Sequence, residues 1–179
     1  VLSPPVLLLH GMAFKAETWR DLGTLTLLGA MGHRAVAVDL PGFGKTNAAD
    51  LTRAERATFL REFTRILSLV KPVLVSPSMS GGYALPYLLT NPCESTGLCS
   101  GYIPIAPVDT GSFQPEVYQQ AGALPVAIVY GSKDDTLGEV SLKNLSNFPN
   151  NEPICFEDAG HACYMNEPAE WHKTIYNFL

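Results

Sequence analysis

The chain has 179 residues, 46% of them hydrophobic and 16% charged, with a formal net charge of -5. That composition suits one domain over residues 1–179 with a core of its own. With no basic stripe in view, it argues against a nucleic-acid partner. No apolar run approaches the roughly 18 residues needed to cross a bilayer, so we expect no membrane contact from this segment.

Val6–Leu9 is a continuous apolar run that ends at His10–Gly11. Both faces of such a strand must be buried, as in a parallel sheet covered by helices. The apolar spacing of Trp19, Leu22, Leu25 and Leu28 predicts a helix over 19–28. A strand follows at Ala35–Asp39, then a loop of chain breakers, LPGFG. A long amphipathic helix is predicted over 52–69. Thr52 or Asp50 caps it, and Glu55 is placed for a capping box with Thr52. Val73–Val75 is a buried strand. It runs into Ser76-Pro77-Ser78-Met79-Ser80-Gly81-Gly82 and an apolar helix at Tyr83–Leu89.

Residues 91–101 read as a loop. A strand follows at Tyr102–Ala106, where Pro104 predicts an edge or irregular position. Residues 107–123 carry little pattern. Val126–Tyr130 is another buried strand, ending at Gly131-Ser132-Lys133-Asp134-Asp135. A helix over Leu137–Phe148, a strand at Ile154–Phe156, the pair Gly160–His161 and a closing helix over Pro168–Leu179 complete the order. Pro168 suits the first turn of that last helix. Strands alternating with helices imply an α/β fold with a mostly parallel sheet and helices on both faces. Ligands of such sheets bind beyond the carboxyl ends of the strands. His10, Asp39, Ser78, Asp134 and His161 all fall just after predicted strands, so they should share one edge.

Strand, tight turn with a central serine, helix is the layout that pushes a serine hydroxyl above a sheet. An activated serine needs a base to take its proton and an acid to orient that base. Ser78, Asp134 and His161 supply the three in chain order. Ser80 is the rival serine, since centring on it places glycine at the following small position. We prefer Ser78 because it follows the strand sooner and leaves Gly81 and Gly82 at the packed start of the helix. Asp135 and Asp109 compete with Asp134 for the acid. Asp39 and Asp158 read as turn-stabilising residues. His33 and His172 read as structural or exposed, and His10 as a support for its turn. Two backbone N–H groups, of Met12 and Met79, are the expected oxyanion donors; losing one such donor typically costs about 10²–10³ in rate.

The cysteines, Cys93, Cys99, Cys155 and Cys163, lack zinc-like spacing, so no metal site is expected. We read all four as reduced thiols, with a Cys93–Cys99 disulfide as the alternative. The span from Pro107 to Leu124 is too short for a lid domain, which predicts an open site suited to short acyl groups on large or exposed carriers and poorly suited to long-chain lipids.

The stretches LLLHGMAFKAETW, GHRAVAVDLPGFGKT, VLVSPSMSGGYALPYL, IPIAP, VYGSKDD and AGHACYMNEPAEWH resemble the α/β-hydrolase superfamily. Over nearly the whole chain they are most similar to the α/β-hydrolase-domain-containing protein 14 family, whose S-P-S-x-S-G elbow matches Ser76 to Gly81. The resemblance implies an α/β-hydrolase fold, with Ser78, Asp134 and His161 as a catalytic triad. Because the superfamily carries a hairpin before this first strand, and the chain starts at Val1, it also implies that an N-terminal portion is missing.

One branch of the family is cytosolic and nuclear, linked to ester hydrolysis and to moving acetyl groups from lysine to coenzyme A. The other carries an N-terminal membrane anchor. AGHACY and LPGFG resemble the anchored branch more, and under that reading a Cys93–Cys99 pair becomes reasonable.

The expectation is a monomeric serine hydrolase or acyltransferase. It would act on a small acyl substrate or an acylated protein side chain, with water or coenzyme A as acceptor and no required cofactor. We expect it in the cytoplasm, with a tethered form as the alternative. A non-catalytic interaction module, and a perhydrolase or C–C-bond hydrolase, remain the competing readings.

Overall fold

A computed structural model describes residues 3–179. Val1, on which the reading of a missing N-terminal portion rests, lies outside the described residues. Six strands form one all-parallel sheet in the order β2-β1-β3-β4-β5-β6. They are β1 (Val6–Leu8), β2 (Ala35–Ala37), β3 (Val73–Pro77), β4 (Gly101–Ile105), β5 (Val126–Gly131) and β6 (Asn151–Phe156). The helices are α1 (Ala16–Asp21), α2 (Thr24–Ala30), α3 (Arg53–Ile66), α4 (Gly81–Leu89), α5 (Ser95–Leu98), α6 (Pro115–Gln119), α7 (Leu137–Leu145), α8 (Cys163–Asn166) and α9 (Pro168–Phe178).

The period-2 geometry of the strands sorts their side chains onto two faces. Val6, Leu8, Val73, Val75, Ile103 and Val129 pack with Trp19, Leu28, Tyr164, Trp171 and Ile175 of α1, α2, α8 and α9. Leu7, Leu74, Tyr102 and Ile128 pack on the opposite side with Leu60 of α3, Tyr83–Leu89 of α4, Tyr118 and Leu145. All nine residues of α4 are buried, as expected of a helix without a polar face.

Local chemistry accounts for most of the boundaries. α3 starts with the expected capping box: the Glu55 N–H donates to Thr52 Oγ1 (3.2 Å) and the Thr52 N–H to Glu55 Oε2 (2.9 Å). Such a cap is worth about 1 kcal/mol. Gly23, at φ +90°, divides the helix predicted over 19–28 into α1 and α2. The loop predicted over 91–101 contains a helical turn at Pro92–Glu94 and α5. Pro104 is not at an edge, since β4 lies buried between β3 and β5. The irregularity is there, however. The Tyr102 N–H donates to Pro125 and the Ala106 N–H to Val129, and between them Pro104 has no N–H to give. Between β4 and β5 the chain makes only a turn at Thr110–Ser112 and the five-residue α6. No helix among the described residues is long and apolar enough to cross a membrane.

Candidate active site

The site is built at the carboxyl edge of the sheet by the loops leaving β1, β3, β5 and β6. The β3 loop is the most constrained. Ser78 holds φ +47°, a left-handed conformation that costs a non-glycine residue roughly 1–2 kcal/mol. Its carbonyl accepts the Val108 N–H at 2.9 Å. α4 begins immediately after the turn, because Gly81 lets it approach the next strand's loop. A β-carbon on Gly81 would lie 2.6 Å from Pro107 Cβ and 2.7 Å from the Val108 carbonyl oxygen.

The three serines of the elbow have separate fates. Ser76 is buried, its hydroxyl sharing a hydrogen bond with the Tyr102 hydroxyl at 2.7 Å. Ser80 is buried and donates to the Pro77 carbonyl at 2.7 Å, at an ordinary helical φ of -72°. Ser78 alone points out of the packed elbow, and its Oγ lies 2.8 Å from His161 Nε2.

His161 completes a line to Asp134, with Nδ1 2.6 Å from Asp134 Oδ2. A carboxylate can only accept, so Nδ1–H donates to Asp134. That leaves Nε2 as an acceptor for the Ser78 hydroxyl. Burial acts to raise the Asp134 pKa. It is outweighed by the hydrogen bond and charge of His161, the Gly138 N–H and the Thr136 hydroxyl, so the carboxyl lies below its ordinary value. The group is therefore an anion at neutral pH, as needed to stabilise a protonated imidazole. Thr136 reaches Asp134 Oδ1 at 3.2 Å, a contact not singled out from the sequence. Its one signal was a threonine two residues after an aspartate, a spacing that favours local side-chain hydrogen bonds.

The competitors stand elsewhere. Asp109 is not bonded to His161 and faces the cleft above Gly82. Asp39 is a loop brace: Oδ1 accepts the Ala16 N–H (2.9 Å) and Oδ2 the Lys45 N–H (3.0 Å). Asp158 sits in a turn at φ +59°, its N–H donating to Ser132 Oγ at 2.8 Å. His10 is buried. Its Nε2 accepts the Leu40 N–H (3.0 Å), so Nδ1–H donates to the Gly11 carbonyl (2.8 Å). Burial lowers its pKa, which keeps it neutral in that role. His33 Nδ1 bonds the Pro4 carbonyl at 2.7 Å, and His172 Nε2 meets Thr24 Oγ1 at 2.9 Å. All four thiols are free, with Cys99 and Cys163 buried; burial pushes both of those up to about 12.

Met12 and Met79, which follow β1 and β3, line the same cleft as Ser78. Gly11 comes close enough that a β-carbon on it would lie 3.7 Å from Ser78 Cβ. Neither the Met12 nor the Met79 N–H has a partner among the described residues.

Ser78 stands between two cavities. The smaller, about 160 Å³, is lined by Gly11, Phe14, Pro77, Ile105, His161 and Tyr164. The larger, about 550 Å³, is lined by Met12, Phe43, Arg56, Met79, Gly82 and Asp109 among others. One is apolar and narrow; the other is wide and carries charge. The arrangement can activate a hydroxyl, hold a small apolar group on one side of it and admit a larger group on the other.

Comparison with known proteins agrees with this architecture. Residues 6–141 match the model of the alpha/beta hydrolase family. The chain is 42% identical over 176 residues to ABHD14A of Danio rerio and 44% identical to ABHD14A of Rattus norvegicus. The matches cover 97% of this chain, but 63% and 71% of those relatives. It is 42% identical over 178 residues to the human protein named "Putative protein-lysine deacylase ABHD14B", covering 97% of this chain and 82% of that one.

In three dimensions it matches the crystal structure of a predicted CIB-like hydrolase from Thermoplasma acidophilum. The TM-score is 0.88 at 22% identity, over 99% of this chain and 86% of that one. An esterase from Exiguobacterium antarcticum gives 0.79 at 19% identity, over 98% and 91%. These two likenesses concern the fold. The chain belongs to the alpha/beta hydrolase family, and within it to the ABHD14 family.

Proposed function

We propose that this protein is a serine hydrolase that removes short acyl groups through an acyl-serine intermediate. The observation that carries the reading is the unbroken hydrogen-bonded line from Ser78 through His161 to Asp134. Ser78 Oγ attacks the acyl carbonyl carbon while its proton passes to His161 Nε2. Asp134 stabilises the imidazolium. The tetrahedral oxyanion is met by the Met12 and Met79 N–H groups, the latter at the start of a helical turn where the backbone dipole favours negative charge. His161 then returns the proton to the departing amine or alcohol as the C–N or C–O bond breaks. Deacylation reverses the roles: His161 takes a proton from water, and the carboxylic acid and free Ser78 result. Coenzyme A is the alternative acceptor, giving an acyl thioester in place of the acid.

The 160 Å³ cavity suits the acyl group. At roughly 30 Å³ per water-sized volume it has room for about five heavy atoms. That size supports a short acyl chain as the group held there. The deacylase name of the human relative supports an acylated lysine amine as the leaving side. The mechanism calls on no metal or resident cofactor, and the protein is read as a monomer. Its four free thiols support a reducing compartment such as the cytoplasm, with a tether upstream as the alternative.

The test is labelling by a serine-directed fluorophosphonate, with the modified peptide mapped. The expected result is one adduct, on Ser78. An unlabelled protein would favour a non-catalytic module on a hydrolase scaffold.

A further inference from the structure

The larger cleft beside Ser78 holds charged groups that the acyl-transfer chemistry does not use. Arg56 projects from α3 and is half-buried, its guanidinium 5.7 Å above the ring of Tyr83. Asp109 follows β4 in a left-handed conformation, φ +66°, at the start of the Thr110–Ser112 turn. The two approach one point, the place a β-carbon would take on Gly82. Asp109 Oδ2 lies 3.2 Å from it and Arg56 Nη1 lies 3.4 Å from it. Yet neither takes part in an ion pair among the described residues. Ser78, Gly82, Arg56 and Asp109 all line this one cleft, so the charges share it with the reactive hydroxyl. Asp50 lines the same cleft.

A guanidinium packed on an aromatic ring has lost part of its water and favours an anion. An anion alone placed there would face Asp109, and a cation alone would face Arg56. A group carrying both charges side by side satisfies both. We infer that Arg56 and Asp109 recognise a dipolar leaving group. It is the free α-amino acid end of an amino acid acylated on its side chain, with the carboxylate on Arg56 and the ammonium at Asp109. Asp50 adds to the attraction for the ammonium. This rests on the acyl-serine reading and narrows it: the preferred substrate is a free acylated amino acid such as Nε-acetyl-lysine, rather than the same side chain within a protein.

The test compares kcat/KM of the wild-type protein for four probes: free Nε-acetyl-lysine, its α-N-blocked form, its C-terminal amide, and the doubly blocked form. A neutral chromogenic acetate ester calibrates the enzyme in each run. Free Nε-acetyl-lysine is expected to be fastest, with roughly a tenfold loss for each charge removed. In Arg56→Gln the ratio between the acid and its amide should collapse towards one. Arg56→Lys should restore part of it. In Asp109→Asn the ratio between the free and blocked amine should collapse instead. Circular dichroism checks the fold of each variant, and the wild-type series stands without them. An enzyme that cleaves the ester but treats the four probes alike, or prefers the doubly blocked one, overturns this inference alone. A protein that neither cleaves the ester nor takes up the fluorophosphonate overturns the acyl-serine reading and this inference with it.

Discussion

The serine arm and the histidine arm of the site are held in place by different forces. Ser78 is fixed by packing. α4 is buried along its length, a β-carbon on Gly81 would collide with Pro107 Cβ and the Val108 backbone, and the positive φ of Ser78 is held among these contacts. His161 is exposed and is fixed mostly by hydrogen bonds. The Lys133 N–H donates to the Ala159 carbonyl (2.9 Å), the Gly160 N–H to Asn166 Oδ1 (2.8 Å), and the ring to Asp134.

Two features do anchor the histidine loop by packing. Gly131 meets it so closely that a β-carbon there would lie 2.2 Å from the Gly160 carbonyl oxygen. Tyr164 stacks on Trp19, with ring centroids 5.0 Å apart. The lesson is that the positive φ of Ser78 is held by dense packing around α4, whereas the exposed imidazole of His161 sits on a lighter support. Damage to the packing of the first arm should therefore appear as lost fold, and damage to the hydrogen bonds of the second as lost rate in a folded protein.

The largest rate effect expected on the histidine side is from Asp134→Asn. It keeps the shape but removes the charge that orients His161 and stabilises its protonated form. Turnover of a short ester should fall by about 10³–10⁴, while the far-ultraviolet circular dichroism stays that of the wild type. Next is Gly81→Ala, which forces a methyl group into backbone and should cost about 1–3 kcal/mol of stability. Its activity should fall only as far as its folded fraction, which chemical denaturation measures. A Gly81→Ala protein as stable as wild type but slow would break the distinction between the arms.

Asn166→Ala removes the acceptor of the Gly160 N–H and should cost about 1 kcal/mol at most. Here kcat should fall several-fold beyond the loss in folded protein. The smallest effect is in pH dependence. Burial lowers the pKa of both His10 and His172 from 6.5. The unfolded chain then binds more protons below that value than the folded one. Stability contributed by the neutral rings is complete above about pH 6.5 and is lost as pH falls through their depressed values. His172→Gln should flatten that acid-side slope in thermal melts without altering the rate at neutral pH.

The two arms also differed in how far they could be read from the residues. Val73–Val75 announces a buried strand, and the small residues after it announce a sharp turn. Gly81 and Gly82 read as the packed start of the helix, and α4 does begin at Gly81, although the apolar run that announces a helix starts only at Tyr83. Pro77 likewise reads as turn but ends β3, since the strand's last residue needs no donor.

From the residues, position in the elbow and the family resemblance both favour Ser78 over Ser80. It took the backbone to show one serine at φ +47° and the other bonded to the Pro77 carbonyl. On the other arm, His161 and Asp134 stand out as polar residues after strands. Their support from Asn166 and Thr136, and the seat of Arg56 opposite Asp109, depend on folds of the chain that no local pattern encodes. Arg56 reads only as one cation on the polar side of an amphipathic helix until α3 and the loop after β4 meet above Gly82.

The most direct test of the central claim is pre-steady-state hydrolysis of a chromogenic short-chain ester by the wild-type protein, Ser78→Ala and Ser80→Ala. An acyl-serine at position 78 predicts a burst from the wild type, with one equivalent of product per folded molecule. Ser80→Ala should retain that burst, reduced only by its loss of stability, and Ser78→Ala should show none. A full burst from Ser78→Ala, or its loss in a folded Ser80→Ala alone, would contradict the account.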